Sequence, residues 1–423
     1  MADIQPLQTV RYEPSAVGSL EAVIAPPYDV IDDELRAALK ARSPFNVVEI
    51  DLPHAPDGGD PYAHAGETFT AWRREGILTH ESEPAFWALE QRYVAPGGAE
   101  RRRRGIFARV RVEDYGKGRI RPHERTHPGP KEDRLRLTRA TRANLSPIFS
   151  LFPDRSGAVA RTLEAAAGTA PFAEAADHEG TSNALWRIAD AEAVASLQSA
   201  LAGAELLIAD GHHRYETARV YAEEVGGEGG HRYVLMFLCA LTDPGLTVFP
   251  THRLLGGLKD DPDKQLAIRE AVKRDFEVEE IGRDQLEPEG DGDGRIRLGY
   301  MDSLHRRPYR LTLKDASIAD AALAGMPEPY RRLDTAVLEA IILKGALGMS
   351  DADISHLRGL GYSKSLDDAR DSVESGRWDA GFFMRATPVK QVREVAEAGE
   401  SMPPKSTYFH PKIPTGLIFN VLE

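Results

Sequence analysis

Two short stretches concentrate the residue types that handle charged oxygen. The first is RPHERTHPGPKEDR, residues 121–134. Inside it, His123-Glu124-Arg125-Thr126-His127 spells H-E-x-x-H. A zinc protease needs that pattern on a helix, with both histidines on one face and the glutamate beside the metal-bound water. Pro128 pushes His127 toward extended geometry, and Gly129-Pro130 oppose a helix running onward. A proline inside a helix costs about 3 kcal/mol, so a zinc site is not expected and His127 carries no metal in this reading. What remains is His123, Glu124, Arg125 and Thr126, followed by Lys131, Asp133 and Arg134. Arginine grips phosphate as a fork and lysine as a point charge. A salt-bridged surface loop is the plainer alternative for the same residues.

The second stretch is LLIADGHHRYETA, residues 206–218. A buried strand delivers Asp210 to its C-terminal end, Gly211 allows a tight turn, and a helix begins directly after it. The first amides of such a helix point outward and attract anions. His212, His213 and Arg214 stand where they add donors for a phosphate, and Asp210 stands where a carboxylate accepts a hydroxyl proton or holds a metal. The plainer reading is an N-cap aspartate followed by solvated basic residues. Neither G-x-x-x-x-G-K-[ST] nor G-x-G-x-x-G after a strand occurs, so the common nucleotide cradles are missing.

Two further clusters extend the pattern. Thr251, His252 and Arg253 follow the strand-like LTVF, and Lys405, Ser406 and Thr407 lie in PPKSTYFHPK, with His410 and Lys412 close behind. Proline on both sides of the latter predicts a rigid loop, because proline lowers the entropy lost on ordering. Taken singly, these are core histidines and surface lysines. Taken together, loops rich in His, Arg and Lys in an acidic chain predict one cationic pocket for a phosphorylated ligand.

The elements that must hold these residues alternate between strand and helix. EAVIAPPYDV and FNVVEIDL are expected as strands flanking a helix in DDELRAALKA. AHAGETFTAWRREGIL is expected as a helix ending at Gly76. AFWALEQRYV and RGIFARVRV are expected as a hairpin, with Glu100–Arg104 as a solvated strand start. RLRLTRATRANLSPIFSLF is expected to be helical and then extended, NALWRIAD to be a strand and AEAVASLQSALAG a helix. YVLMFLCALT and LTVFPTHRLL add strands. The fold class expected is α+β (mixed α/β). Three consecutive regions are expected: 1–155 with the PPYDVI and HERT motifs, 156–257 with the D-G-H-H-R turn, and 258–423 as an α+β region with the PPKSTYFHPK loop.

The 423 residues carry 53 Lys+Arg against 66 Asp+Glu, a net charge of −13 that argues against a nucleic-acid or anionic-membrane surface. No apolar run approaches a bilayer span, and the first residues lack the basic and apolar regions of a signal peptide. Cys239 is the single cysteine, which fits a reducing cytoplasm and lies in an apolar run as an inert buried thiol. A cytoplasmic enzyme or metabolite-binding protein is expected, with an oligomer allowed.

The D-G-H-H-R turn resembles the nucleotide-binding box of the ParB, sulfiredoxin and free serine kinase superfamily, and APPYDVIDDELRAAL resembles the proline-rich opening of that fold. The resemblance implies a ParB/sulfiredoxin-like nucleotide-binding core with insertions, Asp210 as candidate base, and His212, His213 and Arg214 as phosphate binders. Over its whole length the chain also resembles the domain of unknown function 1015 family. The segments that carry this are PPYDVI, NVVEIDLP, DYGKGRIRPHERT, IADGHHRYETA, GLTVFPTHRLL and GESMPPKSTYFHPKIPTGL. That family has no settled activity, and its motif stops at HERT, which leaves His127 incidental.

The leading expectation is a nucleotide-dependent phosphotransferase acting on a small hydroxylated metabolite, with free serine the first acceptor to test. Its cofactors would be ATP or ADP with Mg²⁺, which Glu124 or Glu216 would hold through water. Asp210, His212 and Glu124 are the expected catalytic groups. Gly211, His213, Arg214, His123, Arg125, Thr126, His252, Arg253, Lys405, Ser406 and Thr407 are the expected phosphate or nucleotide binders. Hydrolysis of phosphoserine-like esters or nucleotides uses the same groups, and a ParB-like regulatory module that binds nucleotide without turnover is the third reading.

Overall fold

The computed structural model describes residues 3–55, 58–95, 98–115, 119–124, 128–289 and 294–423, the side chains of 128–130 excepted. Strands and helices are mixed throughout, as the α+β expectation requires. The chain groups into two units that are discontinuous in sequence. The first comprises Met1–Pro122, Thr126–Thr247 and Pro411–Glu423, and the second His123–Arg125 and Val248–His410. This division differs from three consecutive regions because a long segment is inserted before the last thirteen residues, which return to the first unit.

The first unit holds a nine-stranded sheet and a separate four-stranded sheet among the described residues, and the larger one positions the site. Its centre is the hairpin of Phe86–Val94 and Glu100–Arg111, in antiparallel register with Gln91 opposite Arg103. Tyr233–Ala240 pairs antiparallel with the second hairpin strand and parallel with Ile148–Phe152. The latter pairs antiparallel with Leu206–Asp210, which runs parallel to Ile120–Arg121. One face buries Phe86, Ile106, Ile148, Trp186, Leu206, Ile208, Met236 and Leu238 in a single apolar cluster. Helix Ala191–Leu201 begins where Asp190 accepts a hydrogen bond from the Ala193 amide, and it adds Leu197 and Leu201 to that cluster.

Several local expectations are corrected. NVVEI is a short helix, Val48–Asp51, although its β-branched residues favour a strand. Asn46 decides this: fully buried, it accepts from the Val48 amide at 3.1 Å and donates to Ala22 O and Ile24 O. EAVIAPPYDV contains short 3₁₀ turns, Leu20–Ala22 and Tyr28–Val30, rather than a strand. The prolines after HERTH open a helix, Pro128–Thr141, because a proline at the first helical position loses no intrahelical bond. In the arginine run, Arg103 is fully buried rather than solvated.

The second unit holds a six-stranded antiparallel sheet among the described residues, with His252–Leu255 between Leu360–Ser363 and Ala380–Phe383. Its core includes Leu255, Ile268, Phe276, Leu298, Val337 and Phe382. Among the described residues no helix is long and apolar enough to cross a membrane.

Candidate functional site

Leu206–Asp210 is buried along its length until Asp210, and its pairing register shifts between Ile208 and Asp210. Gly211 follows with φ +96°, a left-handed conformation that L side chains rarely adopt. A Cβ there would also stand 3.0 Å from Arg214 Nε. Helix His212–Val225 starts at this glycine, which offers no side chain to cap it. Its first internal bond runs from the Tyr215 amide to Gly211 O at 3.0 Å. The amides of the first turn therefore face outward at the strand's end, as an anion site requires.

Asp210 is the hub of the charges here. Arg214 Nη2 donates to Asp210 Oδ2 at 2.5 Å, and Lys412 Nζ donates to Oδ1. Arg214 Nη1 also donates to Pro147 O, which fixes the guanidinium. Burial alone would raise the Asp210 carboxyl, but the charges of Lys412 and Arg214 outweigh it and hold it well below the usual carboxylate range. Asp210 is thus a fixed anion that gathers two cations, rather than a group tuned for taking protons at neutral pH. His212 is buried at the helix start, with His213 half-buried beside it.

Lys412 reaches Asp210 because its backbone is anchored to a buried polar row on the sheet. Arg103 Nη2 donates to Pro411 O at 2.5 Å and to Gln91 Oε1. Gln91 Nε2 donates to Lys412 O at 3.1 Å and to Asn183 Oδ1 at 2.9 Å. The Arg103 guanidinium lies 4.6 Å from the ring centroid of Phe149, the residue opposite Asp210 in the ladder. Sequence reasoning gave Arg103, Gln91 and Asn183 no role at this site and named Lys412 only with the PPKSTYFHPK loop. Lys412, framed by prolines in HPKIP, carried the one usable signal.

A second charged group borders Arg214. Arg134 is buried and donates to Asp51 O at 2.7 Å, to Asp51 Oδ1 at 3.3 Å and to Asp133 Oδ2 at 2.6 Å. Its guanidinium sits 4.1 Å from the Tyr28 ring centroid. Burial pushes Asp51 up from the ordinary carboxylate range, partly opposed by Arg134 and Arg214. Asp29 of the PPYDVI motif is exposed, and its charge acts on both Arg214 and Tyr28. Glu216 is paired with Arg219, both oxygens lying 3.3–3.4 Å from Nη1, so its carboxylate is already engaged rather than poised for a metal. Among the described residues no three His, Cys, Asp or Glu side chains group as a metal cage. Buried Cys239 has its thiol pushed up by burial, which suits an inert core residue.

Of the remaining predicted residues, His123, Glu124, His252, Arg253, Lys405, Ser406 and Thr407 belong to the second unit. His123 and Glu124 have extended rather than helical backbone: Glu124 bridges in parallel to Met402, whose amide donates to His123 O at 2.7 Å. That geometry does not provide the helical face of a zinc protease. Buried His123 shares a 2.9 Å hydrogen bond between Nε2 and Thr407 Oγ1. Arg125, Thr126 and His127 lie outside the described residues. His252 Nδ1 accepts from the Met384 amide at 3.1 Å, and burial together with Arg253 pulls its pKa down to about 4, so it is neutral at pH 7. Arg253 is buried opposite Tyr362.

Ser406 is pinned by three buried bonds. Its hydroxyl donates to Pro403 O at 2.7 Å and lies 3.0 Å from Thr335 Oγ1, and its carbonyl accepts from Thr387 Oγ1 at 2.9 Å. Lys405 beside it has φ +56°, a conformation that costs a residue with a side chain about 1–2 kcal/mol.

Residues 4–336 match the family described as "Protein of unknown function (DUF1015)". The chain belongs to that family. The PPKSTYFHPK segment and Lys412 of this DUF1015 chain lie beyond the matched residues. No curated protein matches it. Among solved structures it is similar to a free serine kinase in complex with AMP, at 14% identity and TM-score 0.38, covering 75% of this chain and 91% of that one. It is also similar to a conserved hypothetical protein from Pyrococcus furiosus, at 16% identity and TM-score 0.36, covering 74% and 95%. SbnI with C-terminal truncation, from Staphylococcus aureus, is similar at 11% identity and TM-score 0.35, covering 73% and 85%. At these scores the likeness carries no argument about activity.

Proposed function

We propose that the chain is a nucleotide-dependent phosphotransferase that acts on a small hydroxylated metabolite, a serine-like amino acid being the first to test. The observation that carries this reading is the gathering of Arg214 and Lys412 on Asp210, at the uncapped start of a fourteen-residue helix. Arg214 and Lys412 meet at Asp210 beside the outward amides of the helix, which add positive potential at the turn. The D-G-H-H-R resemblance supports the same assignment.

Catalysis of phosphoryl transfer is mostly positioning and charge stabilisation, and this chain's groups suit both. Gly211 and the first-turn amides hold phosphate oxygens. Lys412 and His213 neutralise charge on the transferring group, and Arg214 keeps Asp210 in place. Asp210 orients the acceptor hydroxyl by accepting its hydrogen bond. Asp210 is held as a stabilised anion, so exposed Asp29, whose charge acts on Arg214, is the carboxylate proposed to take the acceptor proton. Mg²⁺ would arrive with the nucleotide, as this ion usually keeps several waters and one or two carboxylates.

The test is a reaction of the full chain with γ-labelled ATP or β-labelled ADP and a panel of hydroxylated amino acids. Label in a phosphorylated acceptor supports transfer, and label only in orthophosphate assigns the site to hydrolysis. Unchanged turnover in Lys412→Ala and Arg214→Gln contradicts the assignment of the site.

A further inference from the structure

Arg253 in the second unit is a buried cation that makes no ion pair among the described residues. It is 3% exposed, yet its guanidinium bonds only to main-chain oxygens, Thr251 O at 2.5 Å and Pro404 O at 3.3 Å. Its one ring partner is Tyr362, 5.4 Å from Cζ to centroid. Among the described residues no carboxylate forms an ion pair with it. A buried charge is tolerated when an opposite charge meets it, and is strongly unfavourable otherwise. Burial pulls the guanidinium below its ordinary range, with only partial relief from Tyr362 and Glu339.

The loop above it is built rather than incidental. Arg253 holds Pro404 O, and the next residue, Lys405, is exposed and fixed in the left-handed region. Three buried hydroxyl-bearing residues, Ser406, Thr335 and Thr387, hold that strained conformation in place. Strain held by so many bonds is typical of segments that present a group to a ligand. Thr407 follows, its hydroxyl bonded to buried His123. A guanidinium fork bonded to Pro404 O and a lysine charge on the next residue suit an oxyanion bearing two negative charges.

We propose that the second unit carries its own oxyanion site, in which Arg253 and Lys405 hold a phosphoryl group, free or carried by a metabolite. It does not depend on the phosphotransferase reading, which rests on residues of the first unit. The phosphate supplies the charge that Arg253 lacks.

The experiment is calorimetric titration of the full chain with inorganic phosphate, then with phosphoserine and AMP, paired with thermal melts. Lys405→Gly relieves the backbone strain while removing the charge, so it should keep or raise the melting temperature and weaken phosphate about tenfold. Arg253→Met should lose phosphate binding at this site without lowering the melting temperature of the ligand-free protein, because it removes an unpaired buried charge. Arg214→Gln, in the first unit, should leave the site intact. With the first-unit turn disabled by Arg214→Gln, phosphoserine and AMP that bind no tighter than inorganic phosphate make the ligand free phosphate, and tighter binding of either names a carried group. Unchanged phosphate affinity in Lys405→Gly overturns the proposal, and this variant decides alone should Arg253→Met fail to fold. A lowered melting temperature with unchanged affinity in Arg253→Met also overturns it, making Arg253 a strut for the loop.

Discussion

Two buried charge centres, one in each unit, are handled in opposite ways. In the first, Asp210 is matched by Arg214 and Lys412, and the strap that supplies Lys412 is itself bonded to Arg103 and Gln91. In the second, Arg253 is buried against carbonyls and an aromatic ring, with no ion pair among the described residues. A matched cluster is sensitive to the loss of any member, since each removal leaves a charge stranded. An unmatched cation is already stranded, so its removal should be tolerated and its ligand should matter. The contrast separates a site organised by its own side chains from one that a ligand completes.

The largest effect should come from breaking the matched cluster. Asp210→Ala leaves two buried cations without their anion and should destabilise the first unit by about 3–5 kcal/mol in urea unfolding. The acid side of the same pair follows its sign. The folded Asp210 pKa lies below the ordinary 3.8, so its contribution is fully present above that value and lost as pH falls below it. The stability–pH curve of Asp210→Ala should therefore lack that part of the acid slope.

Next in size is His252 of the second unit. Its folded pKa of about 4 lies below the ordinary 6.5, so unfolding takes up a proton between them. Stability should fall by on the order of 2–3 kcal/mol as pH drops from about 6.5 to about 4. His252→Phe should flatten that window, and a histidine that titrates near 6.5 by NMR would refute the assignment. Smaller still is Gly211→Ala, which strains φ +96° and crowds Arg214; about 1–2 kcal/mol is expected, with weaker nucleotide binding. Smallest is Lys405→Gly, which should stabilise by up to about 1 kcal/mol in the absence of ligand.

The legible parts of this molecule were local. The strand, glycine and helix of 206–225 follow from an apolar run, a residue free to take positive φ, and helix formers, all within twenty residues. The Phe86–Arg111 hairpin followed from alternation in the same way. What stayed hidden depends on partners far away in sequence. Lys412 meets Asp210 across 202 residues, and nothing near either announces the pairing. Arg103 sits in a run of arginines that reads as solvated, and only its pairing opposite Gln91 inside the sheet shows it buried. Asn46 turns a β-branched segment into a helix because tertiary hydrogen bonds outweigh propensity there. The prolines after HERTH open a helix at Pro128, an outcome their spacing does not announce.

The central claim is that the turn at Asp210–Arg214 binds nucleotide phosphate. Titration of ADP into the full chain, with and without Mg²⁺, tests it most directly when wild type is set beside Lys412→Ala and Gly211→Ala. Saturable binding to wild type, weakened about tenfold or more in both variants, is the predicted result. Binding of equal strength in all three proteins, or no binding to wild type, would contradict it.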